Sequence, residues 1–180
     1  MGSSYRKILI PPKKSMKHSI QKLPLAIAAL LIAAPLSANI DKLFPEELQN
    51  AAGESVSRDS LKGKIVGVYF SAEWCPPCRG FTPSLVKFRN ANKDDFEVVF
   101  VSSDRDAKAQ KKYMSGYKMK WPAVKNGSAE ARKLKKQFEV RGIPKLVILD
   151  QNGKTLTTDG RGAVSRNPGG AIAAWKKSSQ

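Results

Sequence analysis

Residues 65–90 read IVGVYFSAEWCPPCRGFTPSLVKFRN, and the fold is decided there. Ile65-Val66-Gly67-Val68-Tyr69-Phe70 is a nearly unbroken apolar, β-branched and aromatic run. Strands buried on both faces of a parallel sheet have this composition. The run stops at Ser71-Ala72-Glu73, and from Pro76 to about Asn90 the period becomes helical. Phe81, Leu85 and Phe88 fall at i, i+4 and i+7 and share one face. Pro83 lies inside this helix and is predicted to kink it. Two cysteines, Cys75 and Cys78, sit where strand gives way to helix.

The same alternation continues on the C-terminal side. Phe96-Glu97-Val98-Val99-Phe100-Val101 predicts a second buried strand. A polar helix is expected from Asp104 to about Gly116, and another from Ala129 to Phe138 with Ala131, Leu134 and Phe138 inward. Lys145-Leu146-Val147-Ile148-Leu149-Asp150 predicts a third strand, and Gln151-Asn152-Gly153 a hairpin turn into a returning strand at Lys154–Thr158. Pro168–Lys177 closes the chain as a helix. This order implies an α/β fold: a parallel-rich sheet covered on both faces, with an antiparallel hairpin at its end. Residues 39–60 are a mixed, polar lead-in, with Leu43, Phe44, Leu48 and Val56 as packing points and a short strand near Val56.

The cysteine pair carries the chemistry. A lone C-x-x-C could be half of a zinc site, but a closed zinc site takes four ligands. This chain has two thiols and a single histidine, His18. Structural bridging is also a weak reading, because so short a loop contributes about 2 kcal/mol against about 4.7 for a 100-residue loop. Redox chemistry is the stronger reading. Cys75 stands at a helix N-terminus, where unpaired amides and the positive dipole end favour an anion. Cys78 lies one turn further in. Cys75 is therefore the candidate nucleophile and Cys78 the resolving thiol. Pro76 and Pro77 suit a helix start but remove two amides that could have stabilised the thiolate.

Length and charge set the surroundings. A chain of 180 residues suits one domain with appendages. Its net charge is +17, and removing the six cations of residues 1–38 leaves +11 on the remainder. The cations are spread along the chain, so a solvated basic surface is expected and no nucleic-acid partner. Residues 23–38, LPLAIAALLIAAPLSA, follow Lys17 and Lys22 and end in small residues. That is the three-part pattern of a secretory signal, cut after about Ala38, with an uncleaved membrane anchor as the alternative. Residues 1–15 are surplus to a signal starting at Met16. The mature protein is expected to be periplasmic or secreted, and monomeric.

FSAEWCPPCRGFTPSL (Phe70–Leu85) resembles the active-site segment of tryparedoxins and nucleoredoxins, a branch of the thioredoxin superfamily. The likeness runs over most of residues 60–177: FEVVFVSSD (Phe96–Asp104), Lys120-Trp121-Pro122-Ala123-Val124, and FEVRGIPKL (Phe138–Leu146). The resemblance implies a thioredoxin fold, a central mixed sheet with helices on both faces, as a single domain at residues 61–177. It implies a cis Ile143-Pro144 bond, with Pro144 facing Cys75 and the Ile143 backbone pairing with a bound substrate strand. Trp74 and Trp121 would flank the site, with Pro76 and Pro77 among the substrate contacts. Many thioredoxins carry a buried Asp six residues before the first cysteine; here that position is Tyr69, which leaves Glu73 or water as the candidate for proton transfer. The implied activity is thiol–disulfide exchange with no cofactor beyond the Cys75–Cys78 disulfide. The partners are cysteine-containing client proteins and a thiol electron donor, membrane-embedded if an exported protein works as a reductase. Reduction of protein disulfides is the leading expectation. The alternatives are a disulfide oxidase or isomerase, and a client-binding module with little turnover.

Overall fold

The computed structural model describes residues 1, 2 and 39–179. The chain divides into two units, and every helix and strand named below belongs to the second, Ala34–Gln180. The expected signal segment lies outside the described residues.

Four strands make the main sheet: β3 (Ile65–Ser71), β4 (Phe96–Ser102), β5 (Lys145–Leu149) and β6 (Thr155–Thr157). They follow β1 (Glu47–Gln49) and β2 (Ser55–Ser57), a separate antiparallel pair. Strand order is β4-β3-β5-β6. β3 runs parallel to β4 but antiparallel to β5, which is antiparallel to β6. The sheet is therefore mixed, as the family resemblance implies, and not parallel-rich as element order alone suggests. A continuous apolar run records burial on both faces but carries no strand direction, so the reversal of β5 corrects the expectation drawn from element order.

The helices are α1 (Ile40–Leu43), α2 (Pro76–Ala91), α3 (Ala107–Gly116), α4 (Ala129–Gln137), α5 (Gly160–Arg166) and α6 (Pro168–Ser178). The pleat of β3 sorts the core into two layers. Ile65 and Tyr69 face Phe81, Leu85 and Phe88 of α2, together with Tyr113 and Trp175. Val66, Val68 and Phe70 face Leu134 of α4 and the lead-in residues Ile40, Phe44, Leu48 and Leu61. The lead-in is thus part of the domain: its hairpin reaches the sheet through Gln49, which exchanges backbone hydrogen bonds with Ala123 at 2.8 and 2.7 Å.

Two further placements correct the sequence reading. Asp104 does not begin α3; Asp106 is its N-cap, accepting from the Ala109 amide at 2.7 Å. Helix α5 has no counterpart in the periodicity of the sequence. Its Gly160 and Gly162 disfavour a helix by roughly 1 kcal/mol each. It forms because Asp159 caps it and Gly160 lies against Ile148 so closely that a Cβ would stand 2.6 Å from that side chain.

Candidate active site

The site forms where β3 ends at the sheet edge and α2 begins. Cys75 is the N-cap of α2, Pro76 and Pro77 take the first two helical positions, and Cys78 follows. The Cys78 and Arg79 amides both turn back to the Cys75 carbonyl, at 3.1 Å each. The helix start therefore offers its dipole to the Cys75 sulfur but no free amide from these four positions. Cys75 and Cys78 are joined as a disulfide, with Cα atoms 5.2 Å apart. Cys75 is 4% exposed and Cys78 fully buried, so of the two residues only Cys75 keeps any contact with solvent.

Strand pairing brings the opposite wall to this pair. Phe70 is in register with Lys145 at the start of β5, so the residues just before Lys145 lie beside those just after Phe70. Ile143-Pro144 is cis. The Ile143 carbonyl oxygen lies 3.7 Å from Cys75 Sγ, a contact rather than a hydrogen bond, because the oxidised sulfur has no proton. Ile143 also packs against Ala72, Cys75 and Cys78.

Trp74, 61% exposed, stands out beside the pair, its indole N–H donating to the Ser103 carbonyl at 3.1 Å. Pro76 and Pro77 are exposed next to it. Trp121 is not at the site. It is 1% exposed, stacked edge-on at 6.5 Å from Tyr69 in the core, so its expected role as a flanking platform is withdrawn. Glu73 turns its carboxylate to Lys112 at 3.4 Å. Among the described residues, neither cysteine sulfur has a carboxylate hydrogen-bonding partner.

Two groups at the site are not visible in the sequence. Buried Asp104 holds the loop before Cys75: its carboxylate accepts from the Glu73 amide at 2.8 Å and the Ser102 hydroxyl at 2.7 Å. Asn126 donates to Ser102 Oγ and to the Asp104 carbonyl. The Ser-Ser-Asp ending of a buried strand is the one signal that could have pointed to it. The second group lies beneath Cys78. Tyr69, Thr82, Tyr113 and Ser71 pool their hydroxyls there, with Tyr69 Oη 2.8 Å from Thr82 Oγ1, which is 2.6 Å from Tyr113 Oη. Burial, with Tyr113 alongside, pushes the Tyr69 phenol above its ordinary range, so it stays protonated.

Fold and site together define a class: thioredoxin-fold proteins with a Cys-x-x-Cys disulfide at the start of the helix that follows the first core strand. Comparison with known proteins gives the branch. A family profile described as Thioredoxin-like matches residues 63–155. Tryparedoxin I from Crithidia fasciculata superimposes with a TM-score of 0.66 at 41% identity, over 73% of this chain and 93% of that one. Thioredoxin from Wuchereria bancrofti does so with a TM-score of 0.63 at 38% identity, over 80% of this chain and 99% of that one. Probable nucleoredoxin 1 of Arabidopsis thaliana is 47% identical over 115 residues, which is 62% of this chain. The chain spans only 20% of that relative's length. The chain belongs to the thioredoxin-like family, in its tryparedoxin and nucleoredoxin branch.

Proposed function

We propose that this protein reduces disulfides of client proteins, with Cys75 as attacking nucleophile and Cys78 as resolving thiol. The observation carrying this reading is the asymmetry of the pair. One cysteine is the helix N-cap and keeps slight solvent exposure, and its partner is fully buried one turn in. Cys75 thiolate attacks a client disulfide and forms a mixed disulfide, expelling one client thiolate. Cys78, losing its proton, attacks Cys75 Sγ; the Cys75–Cys78 bond forms, the mixed disulfide breaks, and the second client thiolate leaves. Two electrons pass to the client, and a thiol donor must restore the dithiol. Trp74, Pro76 and Pro77 offer an apolar rim to the client, and the Ile143 backbone a strand-like edge. We also read residues 23–38 as an export signal, on their basic, apolar and small-residue order.

The test is a Cys78→Ser variant. It accumulates client proteins covalently bound through Cys75 and released by dithiol; a variant that captures none covalently ends the reading. Redox titration fixes the direction. A potential near about −270 mV supports reduction, whereas one near about −120 mV makes the protein an oxidant instead.

A further inference from the structure

We infer that Tyr69 and Thr82 are positioning residues for the resolving thiol, holding the first turn of α2 in place once the disulfide is open. The inference rests on the proposed exchange mechanism.

The first turns of α2 lack one backbone hydrogen bond. Pro83 has no N–H, so the Arg79 carbonyl loses its usual donor four residues on, whereas Pro76 and Pro77 take positions whose amides have no helical partner in any case. Side chains add a tie one residue earlier. The Cys78 carbonyl accepts from Thr82 Oγ1 at 2.9 Å, and Tyr69 Oη lies 3.4 Å from the same carbonyl oxygen. With the Thr82 proton directed there, Thr82 Oγ1 is free to accept from Tyr69 at 2.8 Å and from Tyr113 at 2.6 Å. Ser71 completes the chain, 3.1 Å from Tyr113 Oη. All four side chains are buried. They come from β3, α2 and α3, so the Cys78 carbonyl is tied to three elements at once.

In the oxidised protein the S–S bond keeps Cys78 under Cys75. In the mixed disulfide that bond is gone, and Cys78 must be presented to Cys75 Sγ by the helix turn alone. Resolution is intramolecular, and its rate depends on how tightly that geometry is held. The hydroxyl group does not touch either sulfur; it acts through the Cys78 backbone. The first attack, by Cys75 on an outside disulfide, forms no bond to Cys78 and so depends far less on where Cys78 sits.

The test separates the two steps. The reduced protein is mixed with a chromogenic aryl disulfide in stopped flow. The first equivalent of aryl thiolate reports attack by Cys75, the second reports resolution by Cys78. Thr82→Val and Tyr69→Phe are expected to slow the second phase by about tenfold, the worth of one net hydrogen bond, and to leave the first within about twofold. The same tenfold loss in closure raises the reduction potential by about 30 mV. Thr82→Ser restores both. Resolution at the parent rate in folded Thr82→Val or Tyr69→Phe overturns the proposal, as does equal slowing of both phases. If Thr82→Val does not fold, Tyr69→Phe decides by the same two rates. Failure of the exchange mechanism itself looks different: the parent protein then releases no second equivalent.

Discussion

At Cys75 the sequence has chosen a helix start without its first two amides. An N-cap side chain ordinarily accepts from the amide two or three positions on. Pro77 lacks that amide, and the Cys78 amide is spent on the Cys75 carbonyl. Thiolate stabilisation is thus left to the helix dipole and to nearby charge. Replacing Pro77 with Ala returns one donor at the second helical position. Pro77→Ala is expected to move the pH midpoint of Cys75 alkylation downward and to raise the reduction potential by about 30 mV, the equivalent of one tenfold change. An unchanged midpoint in the folded variant removes the amide from the account. Glu73 offers the complementary case. Its carboxylate faces Lys112, an exposed pair, and such pairs are worth little. Glu73→Gln is expected to leave the pH profile of exchange unmoved and the rate within about twofold. A displaced profile in stopped-flow exchange would restore Glu73 as proton acceptor.

At the level of elements, burial is legible in the sequence and direction is not. The runs at 65–71, 96–102 and 145–149 all form strands, and the 3.6-residue spacing of Phe81, Leu85 and Phe88 marks the buried face of α2. The reversal of β5 is hidden, because side chains buried on both faces look alike in either orientation. Of the site, the cysteine pair is readable because it is a local motif; at Ile143-Pro144 the residues themselves show only a turn, and its place opposite Cys75 follows from the family resemblance. Asp104 and the hydroxyl chain are not readable, because their partners lie 31 residues away in two of the contacts: Glu73 to Asp104, and Thr82 to Tyr113. Gly67 shows another such long-range demand. In the middle of β3, a Cβ there would stand 2.7 Å from Phe96 Cζ, and that ring is pinned by Phe88 and Trp175 at 5.1 and 5.7 Å. Two aromatic neighbours therefore resist the shift that a methyl group would demand of the ring. Gly67→Ala is therefore expected to destabilise the fold by about 1–3 kcal/mol despite the better strand propensity of alanine. The urea midpoint measures it, and an unchanged or raised midpoint would show that the ring relaxes after all.

For the molecule as a whole, acid and truncation probe different supports. Asp106, Glu130 and Asp159 all lie at helix starts and all have carboxyls held below their ordinary range. The causes are the Ala109 amide for Asp106, its own backbone amide for Glu130, and the Arg166 guanidinium for Asp159. A lowered folded-state value means that the unfolded chain binds protons first. Stability from these groups is complete above about pH 5 and drains away as pH falls through the unfolded and then the folded values. A urea midpoint that fails to drop as pH falls below about 5 would contradict this. Truncation tests the second core layer. Ile40, Leu43, Phe44, Leu48 and Leu61 are buried against Val66, Val68, Phe70, Val99 and Val147. Deleting residues 39–61 removes the ordering cost of that segment along with its contacts, so the balance for the remaining chain is not simply the lost burial. What the deletion cannot remove is the apolar sheet face it uncovers. A continuous patch of that kind drives association. The shortened chain is expected to bind a hydrophobic dye and to aggregate, whereas a chain starting at Asn39 does neither. The Cys75 loop comes after the end of β3 and keeps its local sequence, so a soluble, monomeric and exchange-active deletion would show that α4 alone covers this face.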